Sequence, residues 1–364
     1  MSNISRRNFL ELSGLAAAAA TMTTSSGAVF ADTSKSSIID THHHMLPQVY
    51  VDTLASIGIT SAGGVAFPIW TPESSLEVMD YFGIDSAVLS LSSPGTYFGP
   101  GTEVFAADLA RQVNEFSAQV VADNPARFGN FATLPQPLGT ESAAEAVYAL
   151  DTLGADGVCL LASAADVFLG DEVYDELFAE LNARSATVFI HPNAHSSSYN
   201  ENLGLDVPLF AVEFMVDTTR AVTNMIWKGT FTRFPNIKFI IAHAGATLPY
   251  LAYRLELLDS LVPQAKEVFF PEGMKSYLSK LYYDTALSAS DTQVTGMLNL
   301  VGSDQITFGS DYPFAPVEAT AKSLIDLDAL PDSTRGVSER KIKKIKKNGY
   351  NLFPRLAGLN GYNV

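Results

Sequence analysis

Residues 39–47 read IDTHHHMLP, a short run led by isoleucine that ends in three consecutive histidines. Residues 188–195 (VFIHPNAH) and 239–246 (FIIAHAGA) follow the same plan, and these three segments contain all six histidines of the chain. A fourth segment, residues 306–313 (ITFGSDYP), leads from an apolar run to Asp311. Barrel enzymes of the (β/α)8 type build their sites from polar side chains at the carboxyl ends of successive strands. These segments therefore predict a barrel with its chemistry at one end.

Eight β-branched or apolar runs alternate with helical patterns along the chain. The runs are Ser37–His44, Ile84–Ser92, Arg127–Pro135, Ala155–Ser163, Ala186–Asn193, Ile237–Ala244, Leu281–Leu287 and Ile306–Ser310. This alternation predicts an α/β chain folded as a (β/α)8 TIM barrel of the metal-dependent hydrolase type. An open, doubly wound sheet is the alternative, but no Gly-x-Gly-x-x-Gly turn follows the first run.

Four of the polar side chains form a candidate metal site. His42 and His44 are two residues apart on the first strand, so they point to the same face, and His43 points to the other. His191 ends the fifth strand and Asp311 ends the eighth. Three imidazoles and one carboxylate suit Zn²⁺, with Mn²⁺ as the main alternative. The fourth strand ends without a lysine that could bridge two ions, so we expect one metal per chain.

His243 ends the sixth strand, directly before Ala244 and Gly245. Its position predicts proton transfer at the metal rather than coordination, and a purely structural histidine is the alternative. His195 lies beyond the fifth strand in a Ser-rich stretch, which favours a surface position. The single Cys159 lies in the middle of a strand and excludes an internal disulfide.

The first 31 residues are typical of a twin-arginine signal peptide. Arg6 and Arg7 precede an uncharged stretch from Leu12 to Thr24, and Val29-Phe30-Ala31 offers a cleavage site. We therefore expect export of the folded protein to the periplasm or the outside of the cell, and one catalytic domain over residues 32–364. The net charge of −16 argues against nucleic acid and anionic membranes as partners.

Two long segments exceed a minimal barrel. Met45–Ser75 is predicted to form a lid or wall over the end of the first strand. Ser196–Pro235 contains an apolar helix pattern, which fits a buried helix or a subunit contact. The basic run Lys341–Lys347 has isoleucines three residues apart and is predicted to be a solvated helix face.

Taken together, the His-x-His, His-Pro, His-Ala-Gly and Gly-Ser-Asp-Tyr-Pro motifs resemble the metal-dependent amidohydrolase superfamily. More narrowly, residues 37–358 resemble its aminocarboxymuconate-semialdehyde decarboxylase-like branch, which includes 6-methylsalicylate and hydroxybenzoate decarboxylases. The resemblance implies metal ligands at His42, His44, His191 and Asp311, and a catalytic acid or base at His243. It also implies decarboxylation more often than hydrolysis, and a homodimer in which Arg254 reaches the neighbouring site.

One departure from the branch concerns the substrate. No lysine or arginine occurs between Lys35 and Arg111, so the first long loop offers no cation for a second substrate carboxylate. The aromatic residues Phe67, Trp70 and Tyr97 lie in this part of the sequence instead, and we expect Trp70 to contact substrate. A small hydroxylated aromatic acid with one carboxylate fits better than a dicarboxylate.

Three functions compete at this point. The first is a metal-dependent, non-oxidative carboxy-lyase in which Asp311 or His243 protonates the ring carbon before CO₂ leaves. The second is a hydrolase of a lactone, ester or amide that uses a metal-activated water. The third is a binding protein without catalysis, but loss of a ligand or of His243, the expected signature of such a protein, is not seen in the sequence.

Overall fold

Eight parallel strands pair side by side in chain order in the computed structural model, which describes residues 38–193 and 205–362. The strands are β1 (Ile39–His44), β2 (Ser86–Ser90), β3 (Phe128–Thr133), β4 (Gly157–Leu161), β5 (Thr187–His191), β6 (Lys238–Ile241), β7 (Tyr282–Asp284) and β8 (Ile306–Thr307). Two bridges, Asp40 with Phe308 and His43 with Tyr312, bring β8 back to β1. The predicted (β/α)8 barrel is confirmed. The predicted signal peptide and His195 lie outside the described residues.

Helices follow the strands and cover the outside of the barrel. They are α1 (Gln48–Ser56), α2 (Pro72–Phe82), α3 (Glu103–Asp123), α4 (Gly139–Asp151), α5 (Asp175–Ala183), α6 (Leu209–Trp227), α7 (Thr230–Arg233), α8 (Leu248–Glu256), α9 (Leu258–Leu261), α10 (Pro263–Phe269), α11 (Met274–Leu278), α12 (Asp291–Val301), α13 (Val317–Ser333), α14 (Glu339–Lys347) and α15 (Pro354–Leu359). Among the described helices, none is long and apolar enough to cross a bilayer.

The last two strands are shorter than the sequence predicts. The predicted run Leu281–Leu287 contains only the three-residue strand β7, and the run Ile306–Ser310 contains only the two-residue strand β8. Beyond them the backbone leaves the sheet, with positive φ at Leu287 (50°) and Asp311 (64°). An apolar pattern cannot distinguish such turning residues from strand residues, because apolar side chains continue past the ends of both strands, as at Leu287 and Phe308.

The amino-terminal end of the barrel is closed by the end of the chain. Tyr350, Leu352, Phe353 and Leu356 pack with inward-facing side chains such as those of Ile39, Val88, Phe131, Phe189 and Ile240. Arg355 in α15 forms a bidentate pair with Asp156, with Nε–Oδ1 at 3.0 Å and Nη2–Oδ2 at 2.7 Å. Each large apolar side chain buried here contributes about 1.5–3 kcal/mol to folding. This end of the barrel is filled, so a site can open only at the other end.

Three predictions for segments outside the barrel strands agree with the fold. The segment 45–75 forms α1 and a short hairpin, Ser61–Ala62 with Val65–Ala66. The helix pattern after residue 205 is α6, which buries Phe214, Ala221 and Met225. In α14, Ile342 and Ile345 are buried beneath the lysines.

Candidate metal centre and cavity

The carboxyl end of β1 places two imidazoles side by side inside the barrel. His42 and His44 are fully buried, and their Nε2 atoms lie 3.0 Å apart. His43 faces the helices instead, where its Nδ1 lies 2.9 Å from Asp40 and its Nε2 lies 2.9 Å from the Ser75 hydroxyl. The alternation predicted from the sequence is therefore present at the strand tip.

His191 and Asp311 complete a group of four ligand atoms. Asp311 Oδ1 lies 3.2 Å from His42 Nε2 and 3.0 Å from His44 Nε2. One atom from each of His42, His44, His191 and Asp311 falls within 4.8 Å of the others, and all four residues are buried. Asp311 is held in place because its backbone N–H donates to the carbonyl of His42 at 2.8 Å. A metal site is therefore present at the carboxyl ends of β1, β5 and β8.

The donor set fits a divalent ion. Atoms bound to one zinc at about 2.0–2.2 Å lie roughly 3.0–3.5 Å from each other, which matches the separations among His42, His44 and Asp311. Within the described residues no second group of three or more potential ligands is found.

The partners of the other ring nitrogens set the orientation of the ligands. His42 Nδ1 lies 2.8 Å from Asp284 Oδ2, and His191 Nδ1 lies 2.8 Å from the Pro192 carbonyl oxygen. His44 Nδ1 lies 3.0 Å from the Ser90 hydroxyl and 3.3 Å from its carbonyl oxygen. A carboxylate and a carbonyl only accept, so His42 and His191 donate from Nδ1 and keep Nε2 free to bind a metal.

The charges of the metal-free site follow from burial and from these neighbours. Burial alone lowers the pKa of His42, but the carboxylates of Asp284 and Asp311 outweigh it and raise that pKa to about 10. Burial is the main cause that lowers the pKa of His44, and the positive charge of His42 adds to it. Burial, together with the charges of His44, His42 and His243, holds the pKa of His191 well below its usual value. Burial alone would raise the pKa of Asp311, but His42 holds it well below its usual range. The site thus offers an ionised carboxylate and mostly neutral imidazoles.

His243 lies beside the four ligands, in an unusual backbone conformation. Its φ and ψ are 53° and 56°, and its ring centroid lies 4.8 Å from that of His42. Its Nδ1 lies 3.2 Å from the Ala286 carbonyl oxygen, so Nε2 is the nitrogen free for proton transfer. Burial, followed by the positive charge of His42, lowers the pKa of His243. Proton transfer by His243 stays a prediction.

A cavity of about 320 Å³ opens over the site. His191, His243 and Asp311 lie in its wall, together with the hydroxyl residues Ser92, Ser93 and Ser288. Most of the remaining wall is apolar and comes from Val65, Phe210, Phe214, Met215, Leu287 and Phe314. The hairpin after α1 contributes Ala62, Gly63 and Val65, so part of the long segment predicted as a wall has that position. Among the described residues of this wall there is no lysine or arginine.

Trp70 lies elsewhere than predicted. Its side chain is buried outside the cavity wall, where Nε1 donates to the Ser75 hydroxyl at 2.7 Å. Ser75 in turn contacts His43, which contacts Asp40. The sequence could not indicate which side of β1 the loop would pack against. Trp70 therefore supports the back of β1, and these contacts do not favour direct contact with substrate.

Arg254 lies on the outer surface of the barrel. It is exposed on α8 and lines a groove of about 770 Å³ between α6, α8 and the hairpin of residues 163–168. Arg220, Trp227 and Lys228 line the same groove. Arg254 is therefore not part of its own chain's cavity wall, which lies over the metal ligands.

Two buried carboxylates around the ligands were not predicted from the sequence. Asp284 contacts His42, and Asp40 accepts from the backbone N–H of both His42 (3.1 Å) and Ser310 (3.0 Å). A signal for Asp284 was present, since Leu281-Tyr-Tyr-Asp284 is another apolar run that ends in a polar residue. Asp40 precedes the histidines inside the strand and has no such signal.

Comparison with known proteins agrees with this geometry. Residues 39–347 match the family described as Amidohydrolase, and the chain belongs to that family, as its motifs predict. The decarboxylase yanB of Aspergillus niger is 35% identical over 334 residues, which cover 87% of each chain. The 6-methylsalicylic acid decarboxylase acuB of Aspergillus aculeatus is 32% identical over 327 residues, which cover 87% of this chain and 96% of the relative.

A solved structure shares the architecture. The 5-carboxyvanillate decarboxylase of Novosphingobium aromaticivorans, complexed with manganese and 4-hydroxy-3-methoxy-5-nitrobenzoic acid, superposes with a TM-score of 0.72. The two sequences are 21% identical, and the match covers 87% of this chain and 96% of the other. At this identity the likeness concerns the fold alone.

Proposed function

We propose that this protein is a metal-dependent, non-oxidative carboxy-lyase that acts on a small hydroxylated aromatic acid. The observation that carries the proposal is a four-residue metal site at the base of an apolar cavity. Its relatives named as decarboxylases, one of them acting on 6-methylsalicylic acid, support the same reaction class.

The ligands His42, His44, His191 and Asp311 would hold one divalent ion. When bound, the ion supplies positive charge that can hold the substrate carboxylate and an adjacent hydroxyl oxygen. Zn²⁺ suits the three imidazoles, and Mn²⁺ is the alternative, which the manganese in the 5-carboxyvanillate decarboxylase also suggests. Metal analysis of protein purified without added metal distinguishes the two ions.

Two side chains of the cavity wall can move the proton that replaces CO₂ on the ring. His243 has Nε2 free, because its Nδ1 faces the Ala286 carbonyl. Asp311 uses Oδ1 toward His42 and His44, which leaves Oδ2 for the cavity. Either group can take up a proton from solvent or from the substrate hydroxyl and pass it to the ring carbon. The bond between the ring and the carboxylate then breaks, CO₂ leaves, and the electron pair of that bond returns to the ring.

The wall of the cavity favours a ring with one carboxylate. Aromatic and aliphatic side chains suit the faces of a benzene ring, and the serines can bond its hydroxyl groups. The described wall has no cation for a second carboxylate, and residues 194–204 contain no lysine or arginine either. A dicarboxylate would therefore leave one buried charge unpaired, which is costly.

We also propose that the protein is a homodimer in which Arg254 enters the neighbouring cavity. Arg254 lies outside its own chain's cavity wall. In the neighbouring cavity it would pair with the single substrate carboxylate beside the metal, so it would not be available to a second carboxylate. Around Arg254, Tyr250 is 89% exposed, Tyr253 is 72% exposed and Leu257 is 46% exposed. A cluster of exposed apolar side chains of this kind is typical of an interface.

Export by the twin-arginine route is a further proposal, supported by the sequence of residues 1–31 alone. Replacing both Arg6 and Arg7 with lysine is expected to retain the protein in the cytoplasm, as cell fractionation can measure. Unchanged export of this double variant would refute the proposal.

A hydrolase of a lactone, ester or amide is the second candidate, because the same metal site can activate water. A panel of hydroxybenzoates, 6-methylsalicylate and small lactones and esters separates the two reactions. The proposal predicts CO₂ and a phenol from at least one aromatic acid. Acid release from a lactone or ester, without CO₂ from any aromatic acid, would favour the hydrolase.

A further inference from the structure

Asp284 is a buried carboxylate that contacts the ring of the metal ligand His42 and the backbone of His243. It ends β7, is fully buried, and its Oδ2 lies 2.8 Å from His42 Nδ1. Its Oδ1 accepts from two backbone N–H groups, those of His243 and Ala286, each at 2.9 Å. One carboxylate therefore has three donors, which come from the ends of β1, β6 and β7.

The contact with His42 determines which nitrogen of that ring can bind a metal. A carboxylate oxygen accepts the hydrogen bond from a ring N–H, so His42 carries a proton on Nδ1. In the neutral ring that binds a metal, Nε2 then presents a lone pair toward His44 and Asp311, which lie 3.0 and 3.2 Å away. A carboxylate in this position also makes the imidazole a stronger ligand.

The two contacts of Oδ1 act on His243. The left-handed backbone of His243, with φ of 53° and ψ of 56°, costs about 1–2 kcal/mol for an L-residue and needs support. Its N–H donates to Asp284. Asp284 also holds the N–H of Ala286, whose carbonyl oxygen lies 3.2 Å from His243 Nδ1. This second link keeps the proton of His243 on Nδ1 and directs its Nε2 toward the cavity.

We propose that Asp284 is a positioning residue that sets the ring tautomer and orientation of His42 and His243 together. The carboxylate couples the metal-binding nitrogen to the proton-transferring nitrogen, although it touches neither the cavity nor the ligand atoms themselves. The inference rests on the proposed metal site but not on the identity of the substrate or of the reaction.

The isosteric variant Asp284→Asn tests the proposal. Its amide oxygen can still accept from the two backbone N–H groups, but its NH₂ group would then face His42 Nδ1. The His42 proton must move to Nε2, where it competes with the metal. Zinc affinity, measured by competition with a chromogenic chelator, is expected to fall about 10- to 100-fold.

Proton spectra of the histidine side chains in the ¹⁵N-labelled, zinc-loaded protein give a second readout. The wild type should show protected Nδ1–H signals from His42, His191 and His243. In Asp284→Asn the signals of His42 and His243 should be lost or strongly shifted. That of His191, which donates to the Pro192 carbonyl, should stay. Asp156→Asn, which alters a buried carboxylate at the opposite end of the barrel, is the matched control and should change neither readout.

Unchanged zinc affinity with unchanged signals of His42 and His243 would overturn the proposal, as would equal loss of all three signals. Should the variant fail to fold, the wild-type spectrum still decides, since coordination of zinc through His42 Nδ1 would contradict it. Because neither readout uses a substrate, failure here is distinguishable from failure of the proposed reaction.

Discussion

Gly309, two residues beyond the end of β8, packs against His42 so closely that a methyl group would not fit between them. A Cβ at residue 309 would lie 2.7 Å from the Cβ of His42 and 3.3 Å from that of Asp284. The backbone after β8 therefore lies directly against the ligand His42, and the position of His42 depends on a glycine that is not itself a ligand.

Replacing Gly309 with alanine is therefore expected to displace His42 from the other ligands. Overpacking of a buried site typically costs about 1–3 kcal/mol, and we expect a loss of metal affinity of similar size. Equilibrium dialysis against zinc measures the loss. Gly296→Ala in α12 is the control, because its Cβ would meet only Pro249 at an ordinary 3.6 Å. Equal affinities of the two variants would contradict the close fit.

His243→Asn is expected to keep the metal and lose turnover. The residue faces the cavity but lies outside the group of four ligands. Loss of a proton-transfer group typically lowers the rate about 10²- to 10⁴-fold. Metal content and kcat on the same preparation measure both effects. If metal and activity are lost together, His243 is a metal ligand. If activity is nearly unchanged, the role of His243 is structural.

Binding of the metal should release a proton. The pKa of His42 is raised to about 10 in the metal-free site, so at pH 8 this ring is protonated and must lose its proton to bind a metal. About one proton per chain is expected at pH 8, with an affinity that rises about tenfold per pH unit up to roughly pH 10. Calorimetry in buffers of different ionisation enthalpy counts the protons. If no proton is released at pH 8, His42 is already neutral in the metal-free site.

A mixing experiment tests the predicted exchange of Arg254 between subunits. Arg254→Ala is expected to lower kcat/KM about 10- to 100-fold, the loss of one charge-assisted hydrogen bond. If the arginine acts across a twofold interface, a mixture of His243→Asn and Arg254→Ala chains regains roughly a quarter of wild-type activity, because half of the sites in mixed dimers are complete. An arginine that acts within its own chain gives no recovery.

The sequence predicted the ligands better than their surroundings, for a physical reason. His42, His191 and Asp311 follow apolar runs, and the topology of a parallel barrel brings all such strand ends together. A prediction of the ligands therefore needs no knowledge of the distances between these strand ends. The four-residue group and the barrel could therefore be expected from the sequence alone.

Features that depend on packing between distant elements were not predictable in this way. Asp284 ends a strand of only three residues, and its importance depends on contacts with His42 in β1 and with His243 after β6. Trp70 packs behind β1 through Ser75 because α2 lies there, and nothing in its own segment indicates that side. The outward direction of Arg254 likewise depends on how α8 packs against α6.

A metal titration coupled to CO₂ release tests the central claim most directly. Chelator-stripped protein is given increasing amounts of Zn²⁺ or Mn²⁺ together with an aromatic acid labelled with ¹³C in its carboxylate, and labelled CO₂ is measured by mass spectrometry. A single-ion carboxy-lyase predicts that the rate rises in proportion to bound metal and stops rising at one ion per chain, with His191→Ala giving almost none. A requirement for two ions per chain, or full loading with ester hydrolysis but no labelled CO₂, would contradict it.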